Sequence, residues 1–192
     1  MRYPGPDKKV KHLELVLEIK PETKRVWITC NPNYPNTTVI LQAMRNAAES
    51  LNLELVVAPN TTLEGVKADL KTLEESGEVN SIDFILLMPE GLSQNPEVSQ
   101  MMIDFGYKHN IPVGGGIPST LDKGAIFSFI PDSAEMGKLA APLAHKVFSG
   151  IRAGTIPLVT PENYLWLNLK AFNKLGLTAN KGLLLQAKEI IR

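Results

Sequence analysis
The chain is poor in the residues that most often carry covalent or metal chemistry. It has one cysteine, Cys30, and three histidines, His12, His109 and His145. A lone thiol excludes an internal disulfide and leaves the redox compartment undetermined. The histidines are far apart, none has a second His or Cys nearby, and metal-ligand spacing is therefore missing. Excess charge is missing too, since Lys+Arg and Asp+Glu stand at 20 each. That balance gives no support to nucleic acid, a membrane surface or a polyanion as partner. No run approaches the roughly 18 apolar residues of a membrane span. The opening MRYPGPDKKVKH is polar and lacks the apolar stretch of a signal peptide. Either a cytosolic protein or a mature or cut form of an exported one fits this.

Catalytic signatures are equally scarce. Neither a GxGxxG dinucleotide fingerprint nor a Walker GxxxxGK(S/T) is present. Cys30 ends a strand-like run, but no His falls on a strand-end loop to act as its base. A buried structural thiol is the better reading. Asp104, Asp122 and Asp132 are scattered, and no carboxylate pair suggests acid–base work. The expectation is a non-enzyme without a cofactor or a metal.

What is present is the pattern of a folded domain. The 192 residues are 44% hydrophobic and 21% charged. That is ordinary for one sizeable domain or two small lobes. Apolar spacing predicts a helix over 7–19, closed by Pro21, and strands over 26–30 and 53–58. Helices follow over 38–51, with Ile40, Leu41 and Met44 inward, and over 63–76, with Val66, Leu70 and Leu73 inward. Thr61 and Glu64 read as a capping box. The run 82–88 is apolar except for Asp83, as in a parallel strand covered on both faces. Asn95-Pro96-Glu97 starts a helix to about 109. Short strands are predicted over 111–113 and 125–130, then a helix capped by Asp132 and closed by Gly150. In the tail, 163–169 reads as a strand and 183–191 as a final helix. Regular strand–helix alternation predicts an α/β fold with a doubly wound, mostly parallel, flavodoxin-like sheet.

Three strand ends are candidate ligand loops, because open α/β sheets bind there. The first holds Asn31, Tyr34, Asn36, Thr37 and Thr38, with amide donors at a helix start suited to an anion. Taken alone it reads more readily as a capped turn. The second holds Met88 and Glu90, the latter able to take an amine or hydroxyl. The third is Gly114-Gly115-Gly116, a flexible turn or a place where a ligand meets backbone. Three polar or Gly-rich loops on one edge make a stronger case than any one. The tetrad PNTT occurs at 35–38 and again at 59–62, read as reused capping chemistry. Tyr164 and Trp166 read as packing residues.

The runs VWITCNPNYPNT, LNLELVVAPNTT, MPEG and HNIPVGGG together resemble the second lobe of ABC-transporter substrate-binding proteins. The closing segment from Gly154, GTIPLVTPENYLWLNLKAFNKLGLTANKGLLLQAKEIIR, is similar to that family's ending, and RYPGPD resembles its crossover between lobes. The resemblance implies a type I periplasmic-binding fold, a small polar ligand such as an amino acid, and an ABC permease as partner. It implies a periplasmic or lipid-anchored extracytoplasmic location, and ligand contacts on the ten loop residues named above. It divides the chain into a crossover with first helix (1–22), a ligand-binding lobe (23–122) and a return segment (123–192). It also implies an absent first lobe, hence a fragment or natural short form. The apolar face of the helix after Asp132 is then expected to dock on its own sheet or to form a homodimer. One departure stands out. Many members place an acid or Ser where this chain has Gly115 and Gly116, which leaves amino-group recognition there open. A ligand-sensing module of a kinase or transcription regulator, and a flavodoxin-like or isomerase-type enzyme, are the alternatives.

Overall fold
The computed structural model describes residues 7–88 and 90–192, with side chains from Val10 onward. Residues 2–6 of the expected crossover, and Pro89, lie outside the described residues.

The first helix, α1 (Asp7–Ile19), leads into β1 (Arg25–Cys30), α2 (Thr37–Ser50), β2 (Glu54–Pro59) and α3 (Leu63–Ser76). Next come β3 (Phe84–Leu87), the single turn α4 (Gly91–Gln94), α5 (Pro96–Lys108) and β4 (Val113–Gly115). These strands form one parallel sheet in the order β2-β1-β3-β4. Helices cover both faces of the sheet, so the central strand β3 is apolar throughout and β1 nearly so, while the edge strand β2 is only half-buried. In β1, Val26, Ile28 and Cys30 pack with Leu13, Val16 and Met44 from α1 and α2. Trp27 points the other way, to Val66 and Leu70 of α3 and Val98 and Met102 of α5. The doubly wound α/β architecture expected from strand–helix alternation is the one observed.

Capping residues set the helix starts. Asn95 Oδ1 accepts the Glu97 and Val98 amides ahead of α5, with Pro96 at the first helical position. For α3 the cap is Thr62, whose Oγ1 accepts the Gly65 amide at 3.1 Å, and not Thr61. The one-residue shift follows from β2, which runs on through Pro59 in register with Cys30.

A second sheet closes the fold. It contains β5 (Phe127–Pro131), β6 (Asn163–Asn168) and β7 (Ala187–Ile191), with β6 antiparallel to β5 and parallel to β7. A short turn of helix, α6 (Ser119–Asp122), connects β4 to β5. The Ile126 amide donates to Val113 O at 2.7 Å and ties this sheet to the edge of the first. After β6 come α8 (Leu169–Lys174) and α9 (Lys181–Gln186), which add Phe172 and Leu183 to the α1/α2 core. The final helix expected over 183–191 is therefore corrected to a turn of helix followed by a strand. Pairing with Leu165–Asn168 decides it, a partner too distant for periodicity to register. Trp166 is buried, as expected of a packing residue.

Between β5 and β6 stands α7 (Ser133–Phe148), capped by Asp132 through the Ala134 and Glu135 amides. It has no buried residue, and Phe148 is 88% exposed. Leu143 and Val147 line a shallow pocket with Ile156 and Leu158 of the extended segment that follows. The expectation that this helix docks on its own sheet is not met. The faces of the parallel sheet are already packed by α1 and α2 on one side and α3 and α5 on the other.

Candidate functional site
The sheet reverses direction of winding at β1. The chain passes from β1 through α2 to β2 on one side, and α3 returns it to β3 on the other. The helices α2 and α3 lie on opposite faces. Such a reversal opens a crevice beyond the carboxyl ends of the two central strands, here β1 and β3.

The loop after β1 is built from its own polar groups. Asn31 Oδ1 accepts the Asn33 amide at 2.9 Å, an Asx turn. Asn31 O accepts the Tyr34 amide at 3.1 Å and the Thr37 hydroxyl at 2.8 Å. The Thr37 amide donates to Tyr34 O at 3.0 Å, and its side chain is only 3% exposed. Asn31 and Thr37 thus knit the loop together, while Tyr34, Asn36 and Thr38 are exposed.

The helix this loop feeds is uncapped. Asn36 is itself helical (φ −99°, ψ −5°) and its side chain makes no capping hydrogen bond. The first helical bond runs from the Ile40 amide to Asn36 O. Among the described residues the Thr38 and Val39 amides therefore have no acceptor. By contrast α3, α5 and α7 each have a side-chain cap. Free amides and the helix dipole together favour a carboxylate at this point.

From β3 come Met88 and Glu90, each 3% exposed. Met88 belongs to the apolar core. The Glu90 carboxylate caps α4: Oε2 accepts the Leu92 amide at 3.0 Å, and Oε1 accepts the Ser93 amide at 3.1 Å and the Ser93 hydroxyl at 3.3 Å. A carboxylate has about four acceptor sites, so among the described residues one on Oε2 is left. Burial first, and the Glu90 charge second, push the Cys30 thiol above its ordinary value against a smaller opposing effect of Arg45. A thiol held protonated is a poor nucleophile.

The three glycines end β4, next in line, and all are buried. Each has a packing reason. A Cβ on Gly114 would lie 2.4 Å from the Phe127 ring, and one on Gly115 2.5 Å from Leu87 O. Gly115 and Gly116 have φ of +87° and +64°. The Gly116 amide donates to Leu87 O at 3.0 Å, and its carbonyl accepts the Ser128 hydroxyl at 3.0 Å. The ten residues thus sit at three adjacent strand ends. Those on β1 and β3 carry exposed or buried polar groups, except the core residue Met88, and those on β4 hold the strands together. Asn60, just past β2, is not among the sequence candidates, because its PNTT tetrad reads as the cap of α3. No group of three or more His, Cys, Asp or Glu suited to a metal ion occurs among the described residues. No helix among them is long and apolar enough to cross a membrane.

Comparison with known proteins bears on the family and the fold. A curated tyrosine-binding protein of Clostridioides difficile (strain R20291) is 26% identical over 176 residues. The match takes in 88% of this chain, and the chain spans about half (48%) of that relative's length. A conserved domain protein from Vibrio cholerae superposes with a TM-score of 0.80 at 22% identity, covering 95% of this chain and 60% of the other. An ABC domain from Streptococcus pneumonia solved with L-Trp gives 0.81 at 15% identity, covering 98% and 61%. These two likenesses establish the shared fold. The family model described as ABC transporter substrate binding protein matches residues 7–191. By that match the chain belongs to the ABC transporter substrate-binding protein family.

Proposed function
We propose that this chain forms the ligand-holding lobe of a solute-binding component that delivers a small polar ligand, an amino acid, to an ABC permease. The observation that carries it is the uncapped start of α2 at the reversal between β1 and β3. The Thr38 and Val39 amides take the ligand carboxylate. The open acceptor on Glu90 Oε2 takes the ammonium, and Tyr34 covers the side chain. The relatives named for tyrosine and for L-Trp support an aromatic amino acid. No bond is made or broken in this reading, and no cofactor or metal takes part. Residues 23–122 are the binding lobe, 1–22 the crossover and 123–192 the return segment. A second lobe closing over the loop converts capture into a signal for the permease, outside the cytoplasm. The bare face of α7 is buried in the assembled protein, and two copies of this chain would pair through it where nothing else covers it.

Calorimetric titration of the chain tests this. L-Tryptophan or L-tyrosine should bind with a dissociation constant on the order of a millimolar, because one lobe makes half the contacts. The carboxamide of the same amino acid should bind at least about tenfold more weakly, having lost its charge at α2. Binding of a neutral sugar with no response to amino acids would overturn the reading.

A further inference from the structure
Asn60 occupies a junction of three elements. Its backbone amide donates to Cys30 O at 3.0 Å, at the last residue of β1. Its side-chain Nδ2 donates to Asp69 Oδ2 at 2.7 Å, in the middle of α3, and to Thr29 Oγ1 at 3.2 Å. A primary amide has two N–H groups, and these two shorter bonds use both, with Ala58 O a longer contact at 3.5 Å. Thr29 is fully buried and turns its own hydroxyl to Ala58 O at 3.0 Å. Asn60 itself is 9% exposed. Its Oδ1 fits because Gly65 has no side chain, and a Cβ there would lie 2.4 Å away. The arrangement is not needed to start α3, which Thr62 caps. What it does fix is the position of Thr29 and Cys30, the two residues from which the loop 31–36 departs.

We infer that Asn60, oriented by Asp69, is a positioning residue for the ligand loop: it holds the root of that loop so that Tyr34 and the start of α2 stand ready for the solute. The inference rests on the reading of this loop as the ligand loop.

Two readouts separate the two ideas. Amide hydrogen exchange on the ligand-free chain reports the loop through the Tyr34 and Thr37 amides, with Ile85 in the central sheet as reference. Titration with L-tryptophan reports affinity. In Asn60→Ala and Asp69→Ala, Tyr34 and Thr37 should exchange about tenfold faster while Ile85 stays protected. Affinity should fall by about the same factor. Asp69→Asn keeps an acceptor oxygen and should stay close to the parent in both. Gly65→Ala should act in the same direction as Asn60→Ala by displacing the amide. Should Asn60→Ala not fold, the Asp69 pair carries the test, since Asp69 lies on a half-exposed helix position. Unchanged loop exchange in Asp69→Ala, equal acceleration at Ile85, or the same loss in Asp69→Asn would overturn the inference. If the parent binds no amino acid but loop exchange behaves as described, the positioning role stands and the solute reading falls.

Discussion

Gly115→Ala should lower stability by about 3 kcal/mol, the sum of a left-handed backbone for an L residue and a steric clash. At φ +87° a side chain is strained whatever the space around it. Here there is no space either. The new Cβ would sit 2.5 Å from Leu87 O and 3.0 Å from Leu86 Cδ1. The nearer atom is backbone, in the strand paired with β4, and it also accepts the Gly116 amide. Relief requires β4 to move off β3, which loosens the strand end beside Glu90. The urea midpoint should drop with little change in slope, and the melting temperature should fall by about 6–12 °C. Gly91→Ala is the control, since nothing lies within 4 Å of its Cβ position. It should stay within about 0.5 kcal/mol of the parent. A Gly115→Ala midpoint equal to that control would show that the glycine is a free turn.

Thr38→Glu should move stability and binding in opposite directions. The residue is exposed at the second position of α2, where no side chain caps the helix. An acid there meets the free amides and the positive end of the dipole, stabilising the fold by about 0.3–1 kcal/mol. The same acid occupies the place proposed for the ligand carboxylate and repels it. Affinity for L-tryptophan should fall by at least about tenfold, equivalent to about 1.4 kcal/mol. A structural turn would give the first effect without the second. Loss of stability together with loss of binding would instead mean that the substitution had disrupted the loop. Natural sites often forgo stability in this way for function.

How much of this was legible in the sequence depends on the range of the interaction involved. The buried run at Val26–Cys30 and the helical spacing of Val66, Leu70 and Leu73 are local patterns, and they yielded the doubly wound sheet. The Asn95-Pro96-Glu97 start was equally plain. Three features were not local. Lys181–Ile191 has apolar clusters at Leu183–Leu185 and Ile190–Ile191 with no strand-like alternation, so it reads as a helix, and only pairing with β6 makes its second half a strand. Gly114 to Gly116 look like a mobile turn until Leu87 O and the Phe127 ring are placed against them. The two PNTT tetrads are identical in sequence and opposite in use. In the first, Asn36 leaves a helix start open, and in the second, Asn60 is buried against Asp69 and Thr29. Glu90 shows the limit for the site. An acid at a strand end was legible, but its burial and its three internal donors were not.

The most direct test of a solute site at the ends of β1 and β3 is a map of backbone amide shifts during titration with L-tryptophan. The account predicts that the largest shifts fall on Tyr34, Thr38, Val39 and Glu90, with the α3–α5 surface around Lys67 and Gln100 unmoved. Shifts centred on that surface, with the amides of Thr38 and Val39 silent at saturation, would contradict it.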